Sequence, residues 1–141
     1  MTEAPTGVAD TSDRVVLTTP RGNLALSAMR VVTGWMASCH DLPLDRLDDV
    51  QLAIETILAE EPATGGDLSL SVLARAGSLH VDLEGLENPD LKAALRSESV
   101  FEPSLGCPLD VRLFLDALLD QYDVLNPESR AFGVHMQKRI L

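Results

Sequence analysis

Aromatic residues, cysteines and basic side chains are all scarce in this chain, and each shortage narrows what it can be. Trp, Tyr and Phe together make up only 4% of the 141 residues, so Leu, Val, Ile and Ala must fill the core. The two cysteines, Cys39 and Cys107, lie far apart with no Cys-x-x-Cys spacing, a pattern that fits buried thiols in a reducing cytosol rather than a disulfide scaffold. Eleven Lys and Arg stand against 22 Asp and Glu, a formal net charge of -11. Nucleic acid and anionic membrane are poor ligands for such a chain, because phosphate binding needs clustered basic residues. The same acidity favours a basic partner reached with electrostatic steering, or serves simple solubility. No run approaches the roughly 18 apolar residues of a membrane span. The first residues are acidic and polar, without a signal-peptide pattern, so a cytoplasmic location is expected.

What is present suits one globular domain. Hydrophobic content is 45% and charged content 23%, and a chain of this length buries a self-sufficient core. Residues 1–13, rich in Thr, Pro, Gly and acidic side chains, read as a flexible arm. Residues 14–19 (RVVLTT) form a β-branched strand that Pro20 and Gly22 interrupt. Residues 23–40 carry a helical period in which Leu24, Ala28, Val31, Val32, Trp35 and Cys39 form the expected core stripe, with Leu26, Arg30, Thr33 and Ala37 opposite. A second helix spans 45–60 (DRLDDVQLAIETILAE), with Leu47, Val50, Ile54, Ile57 and Leu58 on one stripe. Strands follow over 68–74 and 78–85 across an Arg75-Ala76-Gly77 turn, with Leu79, Val81 and Leu83 facing inward and His80, Asp82 and Glu84 outward. A short helix over 89–96 and a stronger one over 108–121 come next, the latter with Val111, Phe114, Leu115 and Leu118 inward. Strands over 122–125 and 131–139 close the chain. The order β-α-α-β-β-α-α-β-β lacks the alternation of a doubly wound sheet and predicts a two-layer α+β sandwich.

Few groups carry chemistry. The three histidines, His40, His80 and His135, show no ligand spacing, and no P-loop, nucleophile elbow or paired-carboxylate site is visible. Glu55 projects off the apolar stripe of the second helix, and Ala59 stands one turn later on the same side. Leu26, Leu52, Leu109 and Leu113 fall off the main stripes of their helices, so they form either an apolar surface for a partner or part of a wide core.

The paired helices NLALSAMRVVTGWM and LPLDRLDDVQLAIETILAE, the hairpin ending SLHVDLEG, and LGCPLDVRLFLDALLDQYDV followed by FGVHMQKRI together resemble the histidine-kinase-like (GHKL) ATPases. More narrowly, they are similar to the bacterial anti-sigma-factor serine kinases. The resemblance covers about residues 14–140 and implies a mixed, mostly antiparallel sheet of about five strands with about three helices on one face. In that family a Glu-x-x-x-Asn pair on the second helix supplies a base and a magnesium ligand; here Glu55 is matched but Ala59 stands for the Asn, and alanine offers no oxygen to a hard cation. The family's Asp-x-Gly, which receives the adenine amine, reads Leu83-Glu84-Gly85. Its Gly-x-Gly phosphate lid reads Leu105-Gly106-Cys107-Pro108, with one glycine and a proline that has no amide hydrogen. Glu55, Ala59, Gly85 and Gly106 are thus remnants of a nucleotide site, and productive use of ATP and magnesium is not expected.

Arg30 matches a family arginine that contacts the sigma factor and the anti-anti-sigma protein, and with Leu26 and Leu52 it forms the expected partner-binding set. The resemblance therefore implies a cytoplasmic regulatory protein, a homodimer, that binds a sigma factor or an anti-anti-sigma (STAS) protein without kinase activity. Two alternatives stand beside it. One is an active serine kinase with Glu55 as base, and the other is a non-catalytic adaptor for a different signalling partner.

Overall fold

Turn chemistry and alternation account for most of the sheet. The computed structural model describes residues 14–97 and 100–140; the arm expected over 1–13 lies outside them. Strands β2 (Leu68–Arg75) and β3 (Ser78–Leu86) are joined by Ala76 and Gly77, with φ of 54° and 77°, and Arg75 pairs with Ser78. Two successive positive φ values match the twist of a two-residue hairpin, which favours a glycine at the second site. Leu68, Leu70 and Val72 of β2, Leu79, Val81 and Leu83 of β3, and Phe132, Val134 and Met136 of β5 (Phe132–Arg139) are all buried on one face. His80, Asp82, Glu84 and His135 occupy the other face, as the alternation of β3 predicts.

With β1 (Val15–Thr19) and β4 (Gln121–Leu125), the five strands run in the order β1-β2-β3-β5-β4. Each neighbouring pair is antiparallel, so no parallel pairing stands among the described residues. Four helices complete the α+β sandwich: α1 (Asn23–Cys39), α2 (Leu44–Leu58), α3 (Pro89–Arg96) and α4 (Val111–Leu118). α1 rests over β1 and β2, α2 lies between α1 and α4, and α3 packs on α4 and β4. No helix of the described residues is long and apolar enough to cross a membrane.

Local sequence explains where the later helices begin. Asn88 caps α3 by accepting from the amides of Asp90 and Leu91, with Pro89 in the first turn, where its missing N–H costs nothing. Asp110 caps α4 through the Leu113 amide. That cap shortens the helix expected over 108–121: Pro108 stays outside it, Gln121 joins β4, and Phe114 is 39% exposed rather than buried inward.

The largest departure is α1, which packs on the side opposite to the expected stripe. Ala25, Met29, Thr33, Met36 and Ala37 are buried, while Leu24, Val31, Trp35 and Cys39 are exposed. The physical reason is that α1 carries a single charge, Arg30, and two apolar stripes, so its period marks no unique inner face. The two methionines bring bulk that fits the sheet. Thr33 is accommodated because its hydroxyl donates to the Met29 carbonyl oxygen at 2.9 Å. Of the four leucines off the main stripes, Leu26 packs partly against the core, as a wide stripe implies, whereas Leu52, Leu109 and Leu113 are exposed.

Candidate functional site

Of the four residues expected to be remnants of a nucleotide site, Ala59 and Gly106 line a single cleft, and Gly85 is joined to it through Arg21. The end of α2 contributes Ala59, Glu60 and Glu61, the end of β3 leads into Glu87 and Asn88, and the loop before α4 supplies Leu105, Gly106 and Pro108. The cleft has a volume of about 490 Å³, enough for a small ligand, so size does not decide what it holds.

A buried polar knot fastens its floor. Arg21, from the turn between β1 and α1, donates from Nη1 to Glu61 Oε1 at 2.7 Å, and each side chain is 2% exposed. Its Nε donates to the Gly66 carbonyl oxygen at 2.8 Å, and its Nη2 to the Gly85 carbonyl oxygen. Glu61 also accepts from the amides of Glu87 (2.8 Å) and Asn88 (2.9 Å). The Asn88 amide group donates to the carbonyl oxygens of Glu60 (2.5 Å) and Gly106 (2.7 Å). One guanidinium and two side chains thereby tie together α1, α2, β3, α3 and the loop before α4. Such a pair is stable when its remaining lone pairs and protons are satisfied, and these are.

Gly85 and Gly106 each stand where a side chain would meet close neighbours. Gly85 adopts φ 92° at an irregularity in the β3–β5 register, and a Cβ there would collide with the Asp67 carbonyl oxygen. At Gly106 a Cβ would collide with the Asp90 carboxylate. Leu83 is fully buried in the core and Glu84 lies on the outer face, so neither presents a carboxylate to the cleft.

A magnesium nucleotide does not fit these residues. Glu60, Glu61 and Glu87 line the cleft, and its nearest cation, Arg21, is already committed to Glu61. The C-terminal end of α2, where Ala59 is the cap residue, presents the negative end of the helix dipole. At the helix starts Asn88 takes the amides of Asp90 and Leu91, and Asp110 takes that of Leu113, which leaves fewer amides for a phosphate. Cys107 borders the same region as a buried thiol whose pKa is pushed up to about 11, chiefly by burial and then by Glu60. It is an inert thiol in this setting.

A second pair sits apart from this knot. Arg30 of α1 donates from Nη2 to Glu55 Oε1 of α2 at 2.5 Å, with side chains 50% and 45% exposed. The sequence treats these two residues separately, as a contact arginine and a remnant base; the fold brings them together. Gln51 braces the same seam by donating to the Arg30 carbonyl oxygen (3.2 Å) and to Thr33 Oγ1 (3.1 Å). Leu52 is exposed on the same helix as Glu55, whereas Leu26 is drawn toward the core.

Arg21, Glu61 and Asn88 were not singled out from sequence. Arg21 and Glu61 sit beside the breakers Gly22 and Pro62, where charged residues are ordinarily solvated, and nothing local announces that three segments close over them. On the outer sheet face His135 Nδ1 meets Asp82 Oδ1 at 2.5 Å and stacks on His80, but no group of three acidic, His or Cys side chains among the described residues is placed to hold a metal. Compared with models of known protein families and with curated protein sequences, the chain matches none.

Proposed function

We propose that this chain is a regulatory binding module of the anti-sigma-factor type: a histidine-kinase-like domain that holds a partner protein and has given up nucleotide chemistry. The observation that carries the reading is the convergence on one cleft of one replaced position and two retained glycines. Ala59, Gly106 and, through Arg21, Gly85 meet where an internal Arg21–Glu61 pair already satisfies the polar groups. An active site missing a single ligand is open to rescue by a neighbour; here the metal-ligand position is apolar, Pro108 brings no amide hydrogen to the lid, and the nearby cation Arg21 is paired internally with Glu61. Glu55 supports the same reading, because its carboxylate is engaged by Arg30 rather than aimed at a reacting hydroxyl.

The partner in this reading is a sigma factor or a STAS-type anti-anti-sigma protein in the cytoplasm, and the protein acts as a homodimer. A net charge of -11 suits an antagonist of a DNA-binding protein, whose own functional surface is basic. Arg30, with Glu55 and the exposed Leu52, is the surface assigned to that contact.

Two measurements test this. Calorimetric titration with magnesium and ATP is expected to show no saturable heat; tight binding, or transfer of labelled phosphate to a STAS protein, returns the chain to the kinases. Affinity capture from its own host, followed by transcription assays, is expected to recover a sigma factor or its antagonist and to show inhibition. Recovery of neither, with transcription unaffected, leaves the adaptor reading in its place.

A further inference from the structure

α4 buries one flank and opens the other. Val111 and Leu115 are fully buried, whereas Leu113, Phe114, Asp116 and Ala117 face solvent. Leu113 and Ala117 are four residues apart and so stand one above the other on the outer flank, with Phe114 beside them. Leu109, four residues before Leu113 and also exposed, carries the line back across the Asp110 cap. The loop before it adds Leu105, fully exposed at the tip of a turn that the Ser104 and Cys107 backbones close by bonding to each other. Leu113 is 65% exposed, so this flank presents to water an apolar area that the described residues do not cover.

Charge sets this flank apart from the exposed apolar face of α1. α1 carries no carboxylate, and its one charge, Arg30, is paired with Glu55. Along residues 100–120 the carboxylates of Glu102, Asp110, Asp116 and Asp120 stand against one cation, Arg112, whose Nη1 donates to the Ser97 carbonyl oxygen. Lys138 reaches the far end of α4 and is taken by Asp49 at 3.0 Å. Apolar side chains bordered by carboxylates select an occupant that is apolar on one side and basic at its margins. We infer that the outer flank of α4, anchored by Leu109, Leu113 and Phe114 and bordered by Asp110 and Asp116, is a docking surface for a basic amphipathic helix of a partner protein. Apolar residues at i, i+3, i+4 and i+7 of that helix meet the three anchors, and Lys or Arg at its margins meet the aspartates. A second copy of the chain would set carboxylate against carboxylate, and an anionic membrane would meet the same repulsion. Three anchors cover less than the roughly 800 Å² per partner of a standard interface, so the complex is weak, with dissociation in the micromolar range. α2 lies between α4 and α1, so this surface is separate from the Arg30–Glu55 pair, and the inference holds whether or not the chain antagonises a sigma factor.

The probe is a fluorescently labelled synthetic helix with Leu at i, i+3, i+4 and i+7 and Lys elsewhere, titrated with the full chain and followed by anisotropy. Micromolar binding is expected, weakening severalfold as salt is raised, because salt screens the attraction. A peptide of the same composition in scrambled order, and one with Glu in place of Lys, are each expected to bind about tenfold more weakly or worse. The double variant Leu109→Ser with Leu113→Ser, at exposed positions, is expected to keep the circular dichroism of the parent and to lose about tenfold in affinity. Asp116→Asn is expected to lose severalfold and to flatten the salt dependence. Trp35→Ser, exposed on α1, is expected to bind as the parent does. No binding at millimolar protein overturns the inference. So does a scrambled peptide bound as tightly as the ordered one, which would mean that charge alone attracts it and needs no variant of the chain to establish. Unchanged binding by the Leu109 and Leu113 double variant, or an equal loss with Trp35→Ser, overturns it as well.

Discussion

Arg21 and Arg30 lie nine residues apart, and each meets a glutamate from the α2 region, yet the two pairs teach opposite things. Arg21 and Glu61 are 2% exposed and receive or donate bonds from five segments; Arg30 and Glu55 are about half exposed and bind chiefly each other. The chemistry is the same and the surroundings differ. Inside, each charge has lost its water and depends on its partner, so the pair holds the fold together. Outside, water and salt compete for both charges, so the pair contributes little to stability and remains available to a partner protein.

The sharpest way to break the comparison is to remove one member of the buried pair. Glu61→Gln or Arg21→Met leaves an uncompensated charge or orphaned carbonyls, and chemical denaturation is expected to show a loss of roughly 3–5 kcal/mol. A loss below about 1 kcal/mol for both would mean that water reaches the knot, as it reaches exposed pairs. Gly85→Ala comes next, since it forces a Cβ against the Asp67 carbonyl oxygen at a positive φ and disturbs an acceptor of Arg21. An expected cost of about 2–3 kcal/mol, read from the same unfolding curves, ties the knot to the end of β3.

For the outer pair, a double-mutant cycle of Arg30→Ala and Glu55→Ala is expected to give a coupling of about 0.2–1 kcal/mol that shrinks with salt, with unfolding midpoints nearly unchanged. A coupling as large as that of the inner pair would erase the distinction. The smallest effect belongs to His80, half buried with no carboxylate tied to it in the way Asp82 is tied to His135. Burial, and then the nearby His135, lower its pKa below the ordinary 6.5. The unfolded chain therefore takes up a proton that the folded one resists. The stability contributed by His80 is complete above about pH 6.5, falls as pH drops below that value, and is gone once pH passes the folded pKa. Thermal melts of His80→Gln between pH 7 and 5 are expected to decline less steeply than those of the parent.

The strands were legible because several local signals agree. Alternation in β2, β3 and β5, the Ala76-Gly77 turn and the breakers at Pro20, Pro62 and Pro127 each place the same boundaries. α2 was legible for a related reason: its acidic face leaves only one apolar stripe. α4 was read too long, since nothing local told the Asp110 cap from the Pro108 start. The cleft was half legible. Ala59 and Pro108 could be recognised as departures from a pattern, but the Arg21–Glu61–Asn88 knot beside them depends on residues as far as 67 positions apart closing together.

By itself, then, the sequence determined the elements, their order, the α+β class and the acidity of the surface, because propensity, turn geometry and charge act over a few residues. Only the tertiary structure decided which side of α1 is the inside, which of two arginines is a buried clamp, and that Cys39 is exposed while Cys107 is not. Those outcomes turn on burial, and burial is a property of what packs against a residue rather than of the residue itself. A helix with two apolar stripes and one charge leaves that choice to its neighbours. The sheet took the stripe with the methionines and left Leu24, Val31 and Trp35 facing water.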